Sequence, residues 1–218
     1  AEAEPDGYTL LLGTAATHGV NPVLYANSGV DAERDFAAVG TAADMANVLS
    51  VNPKRLDVGS VAELVSTGKR RNLVYGSVGN GSSSHLSAAT FLRAAGFEAT
   101  HVPYRGSSPA VTALLAGDFD FLFDTTATST AHIRSGAFRA LAVTTARRAS
   151  ALPEVPTMQE AGLADNGEWS LARNAPLEGL DMVYVERVRP SYMSDLVWSL
   201  THEFNLEQGA SIRLDEGE

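Results

Sequence analysis

The sequence predicts an α/β fold built on a parallel sheet. Two observations carry that reading: between residues 72 and 145 short apolar runs and helical patterns alternate four times, and the loops joining them are short. Strands linked through helices in this way pair in parallel within one sheet.

The elements follow in chain order. Pro5-Asp6-Gly7 signals a turn, and Tyr8–Leu12 is a continuous apolar run closed by Gly13, the pattern of a buried strand. Thr14–His18 is a small polar loop, and Asn21-Pro22 opens a short helix through Tyr25. Asp35-Phe36 leads to strands at Ala38–Gly40 and Asn47–Val51. Ser60-Val61-Ala62-Glu63 matches the capping box, so a helix begins there with Val61, Leu64 and Val65 on one face. It ends near Gly68, with Lys69, Arg70 and Arg71 beside its negative end.

The most informative stretch is NLVYGSVGNGSSSHLSAATFLRAAG, residues 72–96. The strand Leu73–Tyr75 ends in a Gly-rich turn, and three serines and a histidine then lead into an apolar-periodic helix. Such a junction points unpaired backbone N–H groups and the positive end of the helix dipole at one spot, which suits a carboxylate or a phosphate. The glycine spacing is not that of a dinucleotide loop, and no Gly-Lys-Ser/Thr follows. Beyond it come a strand at Thr100–Tyr104 and a helix at Ser107–Ala116 with Pro109 in its first turn. Asp118–Asp124 reads as a strand with Phe119, Phe121 and Phe123 on one face, followed by a helix at Thr128–Ser135 and a strand at Arg139–Thr145. Residues 151–163 form a Pro-punctuated link into a short helix. Further on the pattern weakens, with a strand at Met182–Val188 and an amphipathic helix at Tyr192–Phe204.

Composition bounds the function. The 218-residue chain carries a formal net charge of −10, which argues against nucleic acid and against an anionic membrane surface, since both need a basic face. Cysteine is absent, which removes disulfides, thiolate catalysis and Cys-based zinc sites. No apolar run reaches the roughly 18 residues of a membrane-spanning helix, so no direct membrane insertion is expected. The opening AEAEPDGYTL has neither a basic n-region nor an apolar h-region, so no signal peptide is expected in it.

Five phrases, taken together and in order, resemble one family: PDGYTLLLGTAATHGVNPVLY, DFAAV at 35–39, the 72–96 stretch, HVPYRGSSPAVTALLAGDFDFLFD, and HIRSGAFRALAVTTARRASALPEVPTMQEAGL. They are similar to the Bug-type extracytoplasmic solute receptors of tripartite tricarboxylate transporters, over residues 3–163. The resemblance implies a periplasmic-binding-protein-like (type II) flytrap of two α/β lobes. Such a protein captures a small organic carboxylate, delivers it to membrane permease subunits, uses no cofactor and performs no catalysis. It also implies a division into a partial lobe one (residues 1–47), lobe two as a parallel α/β sheet (48–140), a return crossover to lobe one (141–164) and a divergent segment (165–218). Lobe one is then incomplete, because the family's leading strand, Pro/Gly-rich loop and long helix are missing before Ala1.

Ligands of open α/β sheets lie outside the carboxyl ends of the strands, and three loops fall there. The first supplies Gly79, Asn80, Gly81, Ser82, Ser83 and His85, where the competing reading is an ordinary capped helix with a glycine turn. Tyr104 and Ser107 lie in the second, Ser107 being a candidate cap in either case. Asp124 ends the third strand, either reading an amino or hydroxyl group of a ligand or capping a helix. The resemblance adds Thr14, Thr17 and His18 as a ligand-facing loop of lobe one. Catalytic and metal sites are not expected. Ser66-Thr67-Gly68-Lys69 lacks the partner motifs of an S-x-x-K enzyme, no G-x-S-x-G elbow occurs, His202-Glu203 lacks a second histidine, and the five histidines are scattered. Two alternatives stay open at this point: an α/β enzyme acting on a small carboxylate or phosphoester, and a remnant that binds nothing.

Overall fold

The computed structural model describes residues 9–21, 25, 31–163 and 180–185, which fall into two compact units. The expected helix at Asn21–Tyr25 lies mostly outside the described residues, and that at Tyr192–Phe204 wholly outside them.

The first unit is a three-stranded antiparallel sheet of β1 (Leu10–Thr14), β2 (Ala37–Asp44) and β8 (Leu180–Val185), with β8 in the centre. Leu10 pairs with Val185 and Thr14 with Asp181 along one edge of β8. Ala37 to Asp44 pair along the other edge, with register shifts at Ala38/Gly40 and Thr41/Ala43. The strand expected at Met182–Val188 therefore begins two residues earlier. The strand expected to be buried at Tyr8–Leu12 is displaced to β1, where Leu12 is 64% exposed. One π-helical turn, Ala15–Val20, follows β1, and a four-residue helix α1 (Ala32–Asp35) precedes β2.

The second unit carries a five-stranded sheet in the order β5-β4-β6-β3-β7, made from β3 (Asn47–Val51), β4 (Leu73–Ser77), β5 (Ala99–Pro103), β6 (Phe121–Thr125) and β7 (Arg139–Val143). The alternation predicts a wholly parallel sheet, and the sheet is instead mixed. The pairs β4–β5 and β4–β6 are parallel, but β3 runs antiparallel between β6 and β7. A five-residue strand buried along its whole length, as β3 is, reads the same in either direction. Its neighbours in space are also not its neighbours in sequence. The four later strands all run one way, so the carboxyl ends of β4, β5, β6 and β7 and the amino end of β3 share one edge. The expected boundary at residue 140 cuts through β7. Leu152, Val155 and Met158 are buried in this unit, and Val143 bridges to Thr157, so residues 141–163 pack with it rather than crossing away.

Helices α2 (Val61–Gly68) and α3 (Ser83–Ala95) pack with the apolar cluster of Leu64, Leu73, Tyr75, Phe91, Phe121 and Phe123. Helix α4 (Ser107–Ala116) packs with a second cluster that includes Leu114, Phe119, Leu122 and Phe138. Phe119 therefore does not share a face with Phe121 and Phe123. Residues 118–120 bend before the strand starts, which interrupts the two-residue alternation. Phe119 instead lies against Gly76, where an added Cβ would meet its ring at 2.4 Å. Helix α5 (Thr126–Arg134) follows β6 directly.

Candidate functional site

The shared strand edge is built from the turn after β4. Ser77 ends the strand, fully buried, and Gly79 (φ 135°) and Gly81 (φ 74°) adopt backbone conformations that side-chain-bearing residues disfavour. Ser82 is the N-cap of α3: its Oγ accepts the His85 N–H at 3.2 Å, and its hydroxyl donates to the Gly79 carbonyl at 2.6 Å. The first-turn N–H groups of Ser83 and Ser84 have no intrahelical acceptor by helix geometry. They stand at the positive end of a 13-residue helix. Residues 78–92 contain no charged side chain, so an anion held here would rest on backbone and hydroxyl donors.

The second loop is tied to the first. Tyr104 donates its N–H to the Ser77 carbonyl at 2.9 Å, and Gly106 donates to the Val78 carbonyl at 3.2 Å. The cap position of α4 is Gly106, at φ 111°, and Ser107 is the first helical residue, so Ser107 is not the cap it was expected to be. Its hydroxyl instead donates to Asp124 Oδ1 at 2.9 Å. Asp124, 1% exposed at the end of β6, also accepts from the hydroxyls of Thr128 and Ser129 through Oδ2. One buried carboxylate thus joins the starts of α4 and α5 through their hydroxyl groups; it caps neither helix, since the cap positions are Gly106 and Thr125 and neither start has a side-chain cap bond. Gly79, Asn80, Gly81, Ser82, Ser83, His85, Tyr104, Ser107 and Asp124 accordingly share one edge of one unit.

Thr14, Thr17 and His18 lie in the other unit and form a motif of their own. Thr14 Oγ1 accepts the Thr17 N–H at 3.2 Å, Thr17 Oγ1 accepts the Thr14 N–H at 2.9 Å, and Thr17 Oγ1 meets His18 Nδ1 at 2.7 Å. His18 also packs edge-on against Phe36 at 5.2 Å, and burial lowers its pKa.

Sequence reasoning passed over an aromatic column beneath the turn. His85 stacks on His101 at 4.2 Å and 4°, His101 on Tyr75 at 4.8 Å, and Tyr75 on Phe121 at 5.5 Å. Gly81 donates its N–H to His85 Nδ1 at 3.1 Å, which fixes the neutral ring with its proton on Nε2. Ser77 Oγ meets His101 Nε2 at 2.7 Å. Burial lowers the pKa of both rings, and His101 is lowered further by His85. Tyr75 and His101 face each other in the parallel register, a pairing that follows from topology and that no local motif announces. Asn47, buried at the amino end of β3, was passed over as well. Its Nδ2 donates to Ser87 Oγ at 3.2 Å, and its Oδ1 has no partner among the described residues. The reversed direction of β3 is what brings it to this edge.

Comparison with known proteins decides the family. The model for the tripartite tricarboxylate transporter family receptor matches residues 1–184. The chain belongs to this receptor family. It is 34% identical to the protein BugT of Bordetella pertussis over 165 residues, which are 74% of this chain and 50% of BugT. Among solved structures of similar proteins, Rpa4515 of R. palustris with adipate has a TM-score of 0.79 and 35% identity, covering 93% of this chain and 64% of Rpa4515. MatC of Rhodopseudomonas palustris with bound malate has a TM-score of 0.75 and 25% identity, covering 95% and 67%. The fold is thus that of the Bug-type periplasmic solute receptors, and the chain spans about half the length of relatives such as BugT.

Proposed function

We propose that the chain is the solute-binding portion of an extracytoplasmic receptor that captures a small dicarboxylate and releases it to the membrane permease subunits of a tripartite tricarboxylate transporter. The observation that carries this reading is the Gly79–Ser84 turn. It is an uncharged, glycine-shaped helix N-terminus whose first N–H groups have no intrahelical acceptor, in a family where similar proteins hold adipate and malate. One carboxylate group of the ligand would sit on the N–H groups of this turn and the hydroxyls of Ser82 and Ser83, with Tyr104 beside it. Asp124 and Ser107 would act from behind, by fixing the second and third loops. The function is binding and release, with no chemical step and no cofactor, and a periplasmic location follows from the receptor role.

A charge-assisted hydrogen bond contributes roughly 1.5–3 kcal/mol and the helix dipole up to about 1, so two or three such bonds support micromolar binding only where water is excluded. Isothermal titration calorimetry with adipate and malate tests the reading. Saturable heats with either acid, absent for a neutral diamide of the same length, support it. Turnover of the ligand, or no heat with any carboxylate, contradicts it.

A further inference from the structure

The histidine column under the turn gives the site a property that a plain helix N-terminus lacks. Gly81 N–H and His85 Nδ1 face each other at 3.1 Å, so this backbone donor of the turn, two residues before the helix, is already taken by the imidazole. A carboxylate arriving at the turn competes for that same N–H. If it takes the donor, Nδ1 loses its partner beside an anion, which favours protonation. Once Nδ1 is protonated, two donors face each other, and an acceptor placed against both relieves them. We propose that His85 makes ligand capture proton-linked: the bound carboxylate takes over the Gly81 N–H, and the imidazole takes up a proton and becomes the one cation of the turn. This rests on the carboxylate reading above and adds a residue that sets the charge state of the site.

The surroundings support one proton rather than two. His101 stacks face to face on His85, so a second cation 4.2 Å away is disfavoured and the two rings titrate as a pair. The remaining titratable or charged groups on the elements packed around His85 are few. Strand β4 contributes Tyr75, neutral because burial raises its pKa, and β5 contributes His101, while the loop after β5, hydrogen-bonded to the turn, carries Tyr104 and the exposed Arg105. The turn and the first ten residues of α3 contribute no other. Asp124 on β6 is occupied by three hydroxyls. Without ligand, burial and the positive end of α3 both hold His85 neutral. The ligand's own charge is therefore what changes its protonation. By linkage, affinity rises as pH falls through the His85 pKa of the complex and levels off below that of the free protein.

The test is calorimetry of the full chain with adipate and malate at about pH 8 and about pH 6, where both carboxyl groups remain largely ionised, in buffers of different ionisation heat. A rise of about one pKa unit at His85 on binding corresponds to a tenfold gain in affinity across its titration. The expected result is a several-fold tighter complex at the lower pH with fractional proton uptake, both lost in His85→Gln. Should that variant fail to fold, NMR titration of the His85 ring in the unmodified protein gives the same answer: its pKa rises when adipate is added. Ligand binding without proton uptake overturns the inference and leaves the carboxylate reading standing. Proton uptake that persists in His85→Gln and vanishes in His101→Gln overturns the assignment to His85. Absence of binding at either pH overturns the carboxylate reading itself.

Discussion

Removing the Asp124 carboxylate separates its two possible roles. The side chain is 1% exposed and accepts from Ser107 at 2.9 Å, from Thr128, and from Ser129 at 3.5 Å. In Asp124→Ala Ser107 and Ser129 lose this acceptor, while the Thr128 hydroxyl keeps the Thr125 carbonyl at 3.1 Å. Thr128 is exposed and Ser107 half-buried, so both can turn to water, whereas Ser129 is buried. A buried unsatisfied hydroxyl costs roughly 1–3 kcal/mol, and each lost bond to a charged acceptor roughly 1.5–3 before water replaces it. Against this stands the relief of desolvating a carboxylate that has no cation beside it among the described residues. The net destabilisation is then about 2–4 kcal/mol, and about 1–2 for Asp124→Asn, which keeps one acceptor. Urea unfolding followed by far-UV circular dichroism measures it, with hydrogen exchange at the starts of α4 and α5 locating it. If Asp124→Ala changes stability by less than about 0.5 kcal/mol while dicarboxylate binding is lost, Asp124 is a ligand-reading acid and the tie between the two helices is wrong.

Other outcomes follow from the same geometry. Ser82→Ala removes the α3 cap and should cost about 1 kcal/mol by denaturant unfolding; no change would mean the cap bond is not made in solution. Gly76→Ala places a Cβ 2.4 Å from the buried Phe119 ring and should cost roughly 1–3 kcal/mol, with partial recovery in the Phe119→Leu background. Full tolerance of Gly76→Ala in a thermal melt would show that the ring has room to move. Ser83→Asp should stabilise α3 by about 0.3–1 kcal/mol through its dipole while abolishing carboxylate binding through like charge; calorimetry and thermal melts on one sample must show the two effects with opposite sign. His85 and His101 are held neutral in the fold, so the unfolded chain binds more protons below its ordinary histidine pKa. Stability should therefore fall as pH drops through about 6.5, and His85→Gln should flatten that fall. An unfolding free energy that rises toward acid pH would contradict the neutral pair.

Much of this was legible in the chain, for identifiable reasons. The Gly-rich turn and the capped helix start that follows it are local, because glycine conformation and N-capping are set within about five residues. The capping box at Ser60 is local too, although Glu63 turns out to accept from the Gly59 N–H rather than from that of Ser60. What was not legible is non-local. The direction of β3, the placement of Phe119 opposite Phe121, and the stacking of His85 on His101 all depend on which strands become neighbours, and periodicity does not encode that. Asp124 was visible as the end of a strand, but its three hydroxyl partners come from two helices, and only the fold shows that its oxygens are engaged.

The central claim is that backbone N–H groups of the Gly79–Ser84 turn hold a carboxylate. It is tested most directly by following the backbone amide resonances of the uniformly nitrogen-15-labelled chain while adipate or malate is added. The account predicts that the largest saturable downfield shifts fall on Asn80, Gly81, Ser83 and Ser84, with smaller ones at Tyr104. Saturable binding that leaves the Gly79–Ser84 amides unmoved, with its shifts concentrated elsewhere in the chain, would contradict it.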